Sequence, residues 1–320
     1  MSALNRRQFL AAGATAATPV FAKPAPKEKQ WKGIFVIMQT PFLDNLEIDE
    51  ESLRREVDFL ARCGAHGIVW PAGAGETAWV KKSERLKLGE AIVREAKGRT
   101  TVLLGAHGED KLEAMEYARY AEKAGADGVH ALGPQNGTND PKVIADYFKA
   151  IASVTQLPLS IQVSSPAMTT EFLLQLAEEL PTFRIVKEEG DRVPHKVSEY
   201  AARNRRLITS TGGGAMNLMN EMARGSGGTM AGAGFADLQV RIWDLYQAGN
   251  KKKAREVFAA FLMMAVLERQ TGYVLQKEIL RRRGVFKTIV MRSTRPNLMD
   301  PGDLRELDEV MEACRPYFKA

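Results

Sequence analysis

The chain has 320 residues, 45% hydrophobic and 26% charged, which excludes a largely disordered protein and supplies enough apolar material for a large core. Its 45 Lys and Arg against 39 Asp and Glu leave a net charge of only +6, scattered over helix faces beside acidic neighbours, so nucleic acid is not an expected partner. Two cysteines, Cys63 and Cys314, make no metal-ligand spacing, and their separation in sequence does not decide whether they pair.

At the N-terminus, Asn5-Arg6-Arg7-Gln8-Phe9-Leu10 runs into an Ala-rich stretch to Thr18 and then Val20, Phe21 and Ala22. A charged start, a mildly apolar middle and a small-residue exit describe a signal peptide, the alternative being a disordered cytosolic tail. The paired arginines look like a twin-arginine signal, which implies export of the folded protein to the periplasm. Cleavage is expected near Ala22, leaving residues 23–30, rich in Pro and Lys, as a flexible lead. The apolar run is too short to span a bilayer, so no membrane contact is expected of the mature form.

From Gly33 onward, short apolar runs alternate with amphipathic stretches. The runs are Gly33 to Met38, Gly67 to Trp70, Thr101 to Leu104, Gly128 to Ala131, Leu159 to Val163, Phe183 to Lys187, Arg206 to Ser210 and Gly228 to Ala233. The clearest helices between them are Glu51 to Arg62, Ser83 to Ala96, Lys111 to Ala124 and Pro141 to Ile151. Eight strand-helix repeats predict an α/β fold, a closed (β/α)8 TIM barrel over residues 31–249. Gly64, Gly125 and Gly249 stand where helix C-caps are wanted, and Asp49, Ser83 and Asp140 where N-caps are. Residues 250–320 read as a C-terminal helical extension, in which Met263, Met264 and Met291 are expected to fill core gaps. Arg281, Arg282 and Arg283 are expected to form a solvated helix end.

In such a barrel, residues ending the strands meet the substrate. Phe183-Arg184-Ile185-Val186-Lys187 delivers a lysine to the end of the sixth strand, followed at once by Glu188 and Glu189. An amine held there loses solvation, its pKa falls from about 10.4, and the neutral form can attack a ketone, making Lys187 a candidate Schiff-base nucleophile. The alternative is a strand-end lysine that merely reaches solvent. The small residues Ala72 to Gly75 let backbone N–H groups approach an anion, although tight βα turns also need glycine.

Thr40-Pro41, Gly75-Glu76-Thr77, Phe148-Lys149-Ala150-Ile151, Leu157-Pro158 and Lys187-Glu188 together resemble the dihydrodipicolinate synthase / N-acetylneuraminate lyase family, class I aldolases and dehydratases. The resemblance runs from Gly33 to about Arg315. It implies that Lys187 forms an imine with a 2-oxo acid whose carboxylate is held near Ala74 and Gly75. It also implies homo-oligomers. Thr40, Thr77, Gly213 and Gly232, at other strand ends, are expected to bind substrate as well. Several departures stand against authentic dihydrodipicolinate synthase. Gly73 and Ala74 replace two threonines, Gln162 and Val163 stand where a tyrosine ends the fifth strand, and the expected arginine is missing from Ser164 to Met168. Gln162, the Gly212-Gly213-Gly214 turn and Glu221-Met222-Ala223-Arg224-Gly225 resemble family members that dehydrate 2-keto-3-deoxy sugar acids.

With the threonine-tyrosine relay missing, other groups must move protons. His107, ending the third strand, is the leading acid/base candidate, its alternative being a hydrogen-bonded loop histidine. Gln162 can orient a water or hydroxyl, and Glu189 is a further candidate. Glu76 is expected to buttress its loop, Glu188 to face the helices, and His130 and His195 to be structural. The combined expectation is a lyase that dehydrates a 2-keto-3-deoxy sugar acid without a metal or organic cofactor. Retro-aldol cleavage giving pyruvate is one alternative, and a non-catalytic 2-oxo acid binding or sensing protein is the other.

Overall fold

The computed structural model describes residues 29, 31–96, 98–134, 137–203, 206–293 and 299–320. The leader at 1–22 and all of the lead but Lys29 lie outside the described residues. Eight strands follow one another in parallel: β1 (Gly33–Ile37), β2 (Gly67–Trp70), β3 (Thr101–Gly105), β4 (Gly128–Ala131), β5 (Leu159–Gln162), β6 (Phe183–Glu188), β7 (Ile208–Thr211) and β8 (Gly228–Gly232). β8 pairs back onto β1, Gly33 opposite Gly228 and Ile37 opposite Gly232, and the sheet closes into the expected (β/α)8 barrel. The closing seam requires glycine. Gly228 has φ +143°, and a Cβ there would lie 1.9 Å from the Gly33 carbonyl oxygen.

The helices between strands are α1 (Glu50–Cys63), α2 (Lys82–Ala96), α3 (Lys111–Lys123), α4 (Pro141–Ala152), α5 (Thr170–Glu179), α6 (Val193–Arg203) and α7 (Leu218–Ala223), and α8 (Ala236–Gln247) follows β8. Asp49 and Asp140 cap α1 and α4 by accepting from the Ser52 and Lys142 N–H groups, and Gly64 ends α1 in the left-handed conformation. Ser83 does not cap α2. The helix begins at Lys82, and the Glu84 carboxylate takes the Lys81 N–H at 2.8 Å instead.

Strand alternation divides the core into two layers. Phe35, Ile37, Val69, Leu103, Ile185 and Met230 fill the barrel, while Ile34, Val36, Ile68 and Val186 pack outward with the helices. The same parity sends Lys187 inward with Ile185 and Glu188 outward with Val186.

Beyond the barrel run α9 (Lys251–Thr271), α10 (Val274–Arg282) and α11 (Pro301–Cys314). Two buried ion pairs lock this extension over the strand ends. The Arg283 guanidinium forks onto Asp237 of α8 at 3.0 and 2.6 Å and also donates to the Gly234 carbonyl at 3.0 Å. Lys277 reaches Glu76, in the loop after β2, at 2.5 Å. Arg283 therefore departs from the expected solvated helix end, because its partner Asp237 is itself fully buried. Of the three methionines, only Met264 fills core; Met263 is exposed, and Met291 lines the cavity described below. Cys63 and Cys314 are both free thiols, which burial pushes up to about 12 and about 11. Among the described residues no helix is long and apolar enough to cross a membrane.

Candidate active site

The carboxyl ends of the strands and the facing ends of α9 and α10 enclose a cavity of about 510 Å3, within the range of small-molecule sites. Lys187 enters it from β6, only 6% exposed. Its Nζ lies 3.2 Å from Gln162 Oε1 and 3.2 Å from Glu189 Oε1. Burial lowers its pKa below the ordinary lysine value, and the Glu189 carboxylate opposes that shift without cancelling it.

Register explains who its neighbours are. Gln162 of β5 and Ser210 of β7 pair with Lys187 across the sheet, so all three point into the barrel at one level. Gln162 Oε1 also meets His130 Nε2 at 3.3 Å. An amide oxygen only accepts, so His130 donates from Nε2, and its Nδ1 accepts the Ser160 hydroxyl at 3.0 Å. Burial, seconded by the Lys187 charge, pushes this imidazole down to about 3 and keeps it neutral.

Glu189 begins the loop after β6. Its Oε2 accepts the Gly213 N–H at 3.2 Å, and the carboxylate lies so close to the next loop that a Cβ on Gly212 would stand 2.0 Å from Oε1. The Gly212-Gly213-Gly214 turn is thus a seat for this carboxylate. Glu188 faces the helices as expected, bonding Lys196 Nζ at 2.8 Å and Tyr200 Oη at 3.0 Å.

The structure brings Lys187, Gln162, Ala74, Gly213 and Gly232 to the cavity and leaves Thr40, Gly75, Thr77 and His107 out of its lining. Thr40 is fully buried; its hydroxyl donates to the Gly75 carbonyl at 2.6 Å and accepts from Trp70 Nε1 at 3.1 Å. The Gly75 N–H is spent on the Ala72 carbonyl at 2.8 Å, and a Cβ there would stand 2.3 Å from the Met38 carbonyl oxygen. His107 is fully buried, its Nε2 3.0 Å from Thr77 Oγ1. Burial, then the Arg85 charge, drives its pKa well below 6.5, and the ring is hydrogen-bonded outside the cavity lining. Glu76 does buttress its loop, held by Lys277 and by the Ser293 N–H at 2.8 Å.

Sequence reasoning left His130 as structural without placing it beside Gln162, and passed over Glu268. The alternation in Gly128-Val129-His130-Ala131 was a usable signal, since a polar residue between two outward apolar ones must point inward. Glu268 lies on α9, outside the strand-end inventory, and nothing local marks it as a cavity residue. Among the described residues no group of three or more His, Cys, Asp or Glu side chains could hold a metal ion.

The chain is 27% identical to the L-2-keto-3-deoxyarabonate dehydratase of Azospirillum brasilense over 83% of its own length and 89% of that protein's. It is 26% identical to the probable 2-dehydro-3-deoxy-D-pentonate aldolase YjhH of Escherichia coli, covering 77% of this chain and 85% of that one. The crystal structure of dihydrodipicolinate synthase from Rhodopseudomonas palustris superposes with a TM-score of 0.80 at 25% identity, over 88% of this chain and 97% of that one. The family model of the dihydrodipicolinate synthetase family matches residues 30–306, and the chain belongs to that family, whose members are lyases.

Proposed function

We propose that the protein binds a 2-oxo acid as an imine of Lys187 and dehydrates a 2-keto-3-deoxy sugar acid. The observation that carries this reading is the Lys187 Nζ, desolvated in the cavity wall, with a carboxylate and an amide oxygen each 3.2 Å away. The neutral amine adds to the C2 carbonyl, and water leaves to form the iminium. The iminium draws electrons from C3, and Glu189 removes a C3 proton to give the enamine. That electron pair then expels the C4 hydroxyl, which takes the proton back from Glu189 and departs as water. Hydrolysis of the remaining imine returns Lys187. Gln162, held by His130, fixes the amine by accepting from it, and cannot itself titrate. The Ala74 N–H, in the cavity wall, is the proposed donor to the substrate carboxylate.

The test is borohydride trapping with pyruvate and with 2-keto-3-deoxy sugar acids, read by intact mass beside Lys187→Ala. The reading requires an adduct only when Lys187 is intact, and a product lighter than the sugar acid by one water. Release of pyruvate would make the reaction a retro-aldol cleavage, and no adduct with any 2-oxo acid would sink the imine. Export through the twin-arginine route is proposed from the leader alone. A mature protein that still carries Arg6 and Arg7 at its N-terminus would refute it.

A further inference from the structure

The cavity has a second polar end that the imine chemistry does not use. α9, from the C-terminal extension, contributes Glu268 and Arg269 to the same cavity as Lys187, with Tyr273 following at the start of α10. Arg269 is exposed at the rim, and Glu268 is half-buried in the cavity wall. Among the described residues the Gln276 amide acts on its carboxyl. That amide is itself fixed, since Gln276 Oε1 accepts the Gly234 N–H at 2.6 Å and leaves the amino group to face Glu268. A carboxyl has lone pairs for about four hydrogen bonds, so most of the capacity of Glu268 is unspent among the described residues.

We propose that Glu268 is the residue that recognises the hydroxylated tail of the substrate, selecting polyhydroxy 2-oxo acids over short ones. This rests on Lys187 holding the 2-oxo end, because the tail is then the only part of the substrate that can extend along the cavity toward α9. Burial pushes the Glu268 carboxyl up to about 7, so near neutral pH a large share of it is protonated. A protonated carboxyl both donates to and accepts from a hydroxyl, whereas it offers little to an ammonium group. The barrel thus supplies the chemistry and the extension reads the tail. Gln276 is a positioning residue, gripping the β8 loop on one side and Glu268 on the other.

The experiment measures borohydride-trapped adduct against ligand concentration for pyruvate, which has no tail, and for 2-keto-3-deoxygluconate, in the wild type, Glu268→Leu and Glu268→Gln. A site built around a hydrogen bond discriminates strongly against a partner that cannot make it. Glu268→Leu should therefore raise the half-saturating concentration of 2-keto-3-deoxygluconate by roughly 10- to 100-fold. It should leave that of pyruvate within about twofold, and Glu268→Gln, which keeps a donor and an acceptor, should recover most of the loss. Parallel shifts for both ligands, or no shift for either, overturns the assignment. A wild type that forms no adduct with either ligand overturns the imine, and the tail recognition with it, a result distinct from parallel curves.

Discussion

Two sides of one barrel mouth carry comparable numbers of buried polar groups and use them in opposite ways. On the side of β5 to β7, Gln162, Lys187 and Glu189 bond one another while still lining the cavity. On the side of β1 to β3, Thr40, Gly75, Thr77 and His107 bond one another and do not reach its surface. Most buried polar groups are hydrogen-bonded in either case. What separates chemistry from architecture is whether it also presents a lone pair or proton to the cavity. On the β1 to β3 side Gly73 and Ala74 stand where the family pattern has two threonines, and the groups that remain there bond to one another across the loops.

The harshest test of this contrast is Lys187→Ala, which should abolish the trapped adduct and reduce turnover by more than about 10³-fold, since covalent activation has no substitute in the cavity. Glu189→Gln comes next. Its amide can still accept from the Gly213 N–H but cannot take a proton, so kcat should fall by about 10²- to 10⁴-fold while the adduct with pyruvate persists. Loss of the adduct in Glu189→Gln, rather than of turnover, would move Glu189 from proton transfer to holding the amine.

On the architectural side the largest effect belongs to Lys277. Its Nζ is buried between Glu76 at 2.5 Å and the Val290 carbonyl at 2.7 Å, 4.6 Å from the Phe42 ring centroid. Removing one partner of a buried pair leaves the other uncompensated, so Lys277→Met should cost about 3 to 5 kcal/mol of unfolding free energy in urea titrations. An unchanged urea midpoint would show that Glu76 does not need its cation.

How much of this was legible follows from the range of each signal. Strand period and strand-end position are local, so the eight runs, the inward Lys187 and the outward Glu188 could be read from a few consecutive residues. The pairing of Gln162 with Lys187 is also legible once the strands are ordered, because neighbouring parallel strands end at similar heights. His107 shows where this stops: it ends its strand as Lys187 does, but whether the ring reaches the cavity depends on Thr77, thirty residues earlier. Arg283 and Glu268 depend on how the extension docks, and no short window of sequence carries that.

His130 offers a smaller test, by pH. Its imidazole stays neutral in the fold down to about 3, while in the unfolded chain it takes up a proton below about 6.5. The unfolded state therefore binds more protons across that window, and the His130 contribution to stability falls as pH drops from 6.5 toward 3, by about 1 kcal/mol per pH unit. Carboxyls such as Glu221, raised to about 7 by burial, pull the other way, so the comparison must be with His130→Asn. Wild type should lose more stability than the variant between pH 6.5 and 4. Matching slopes would mean that His130 titrates normally.

The mildest prediction concerns Thr77→Val. If the Thr77 hydroxyl only satisfies the His107 ring, removing it leaves Nε2 buried without a partner, as Nδ1 already is. That should cost about 1 to 3 kcal/mol of stability. Because neither residue lines the cavity, kcat and KM for the sugar acid should stay within about threefold of wild type at a temperature where both proteins are folded. A kcat loss of about a hundredfold in folded Thr77→Val would erase the distinction between the two sides, since it would mean that a proton reaches the substrate from a group the cavity does not touch.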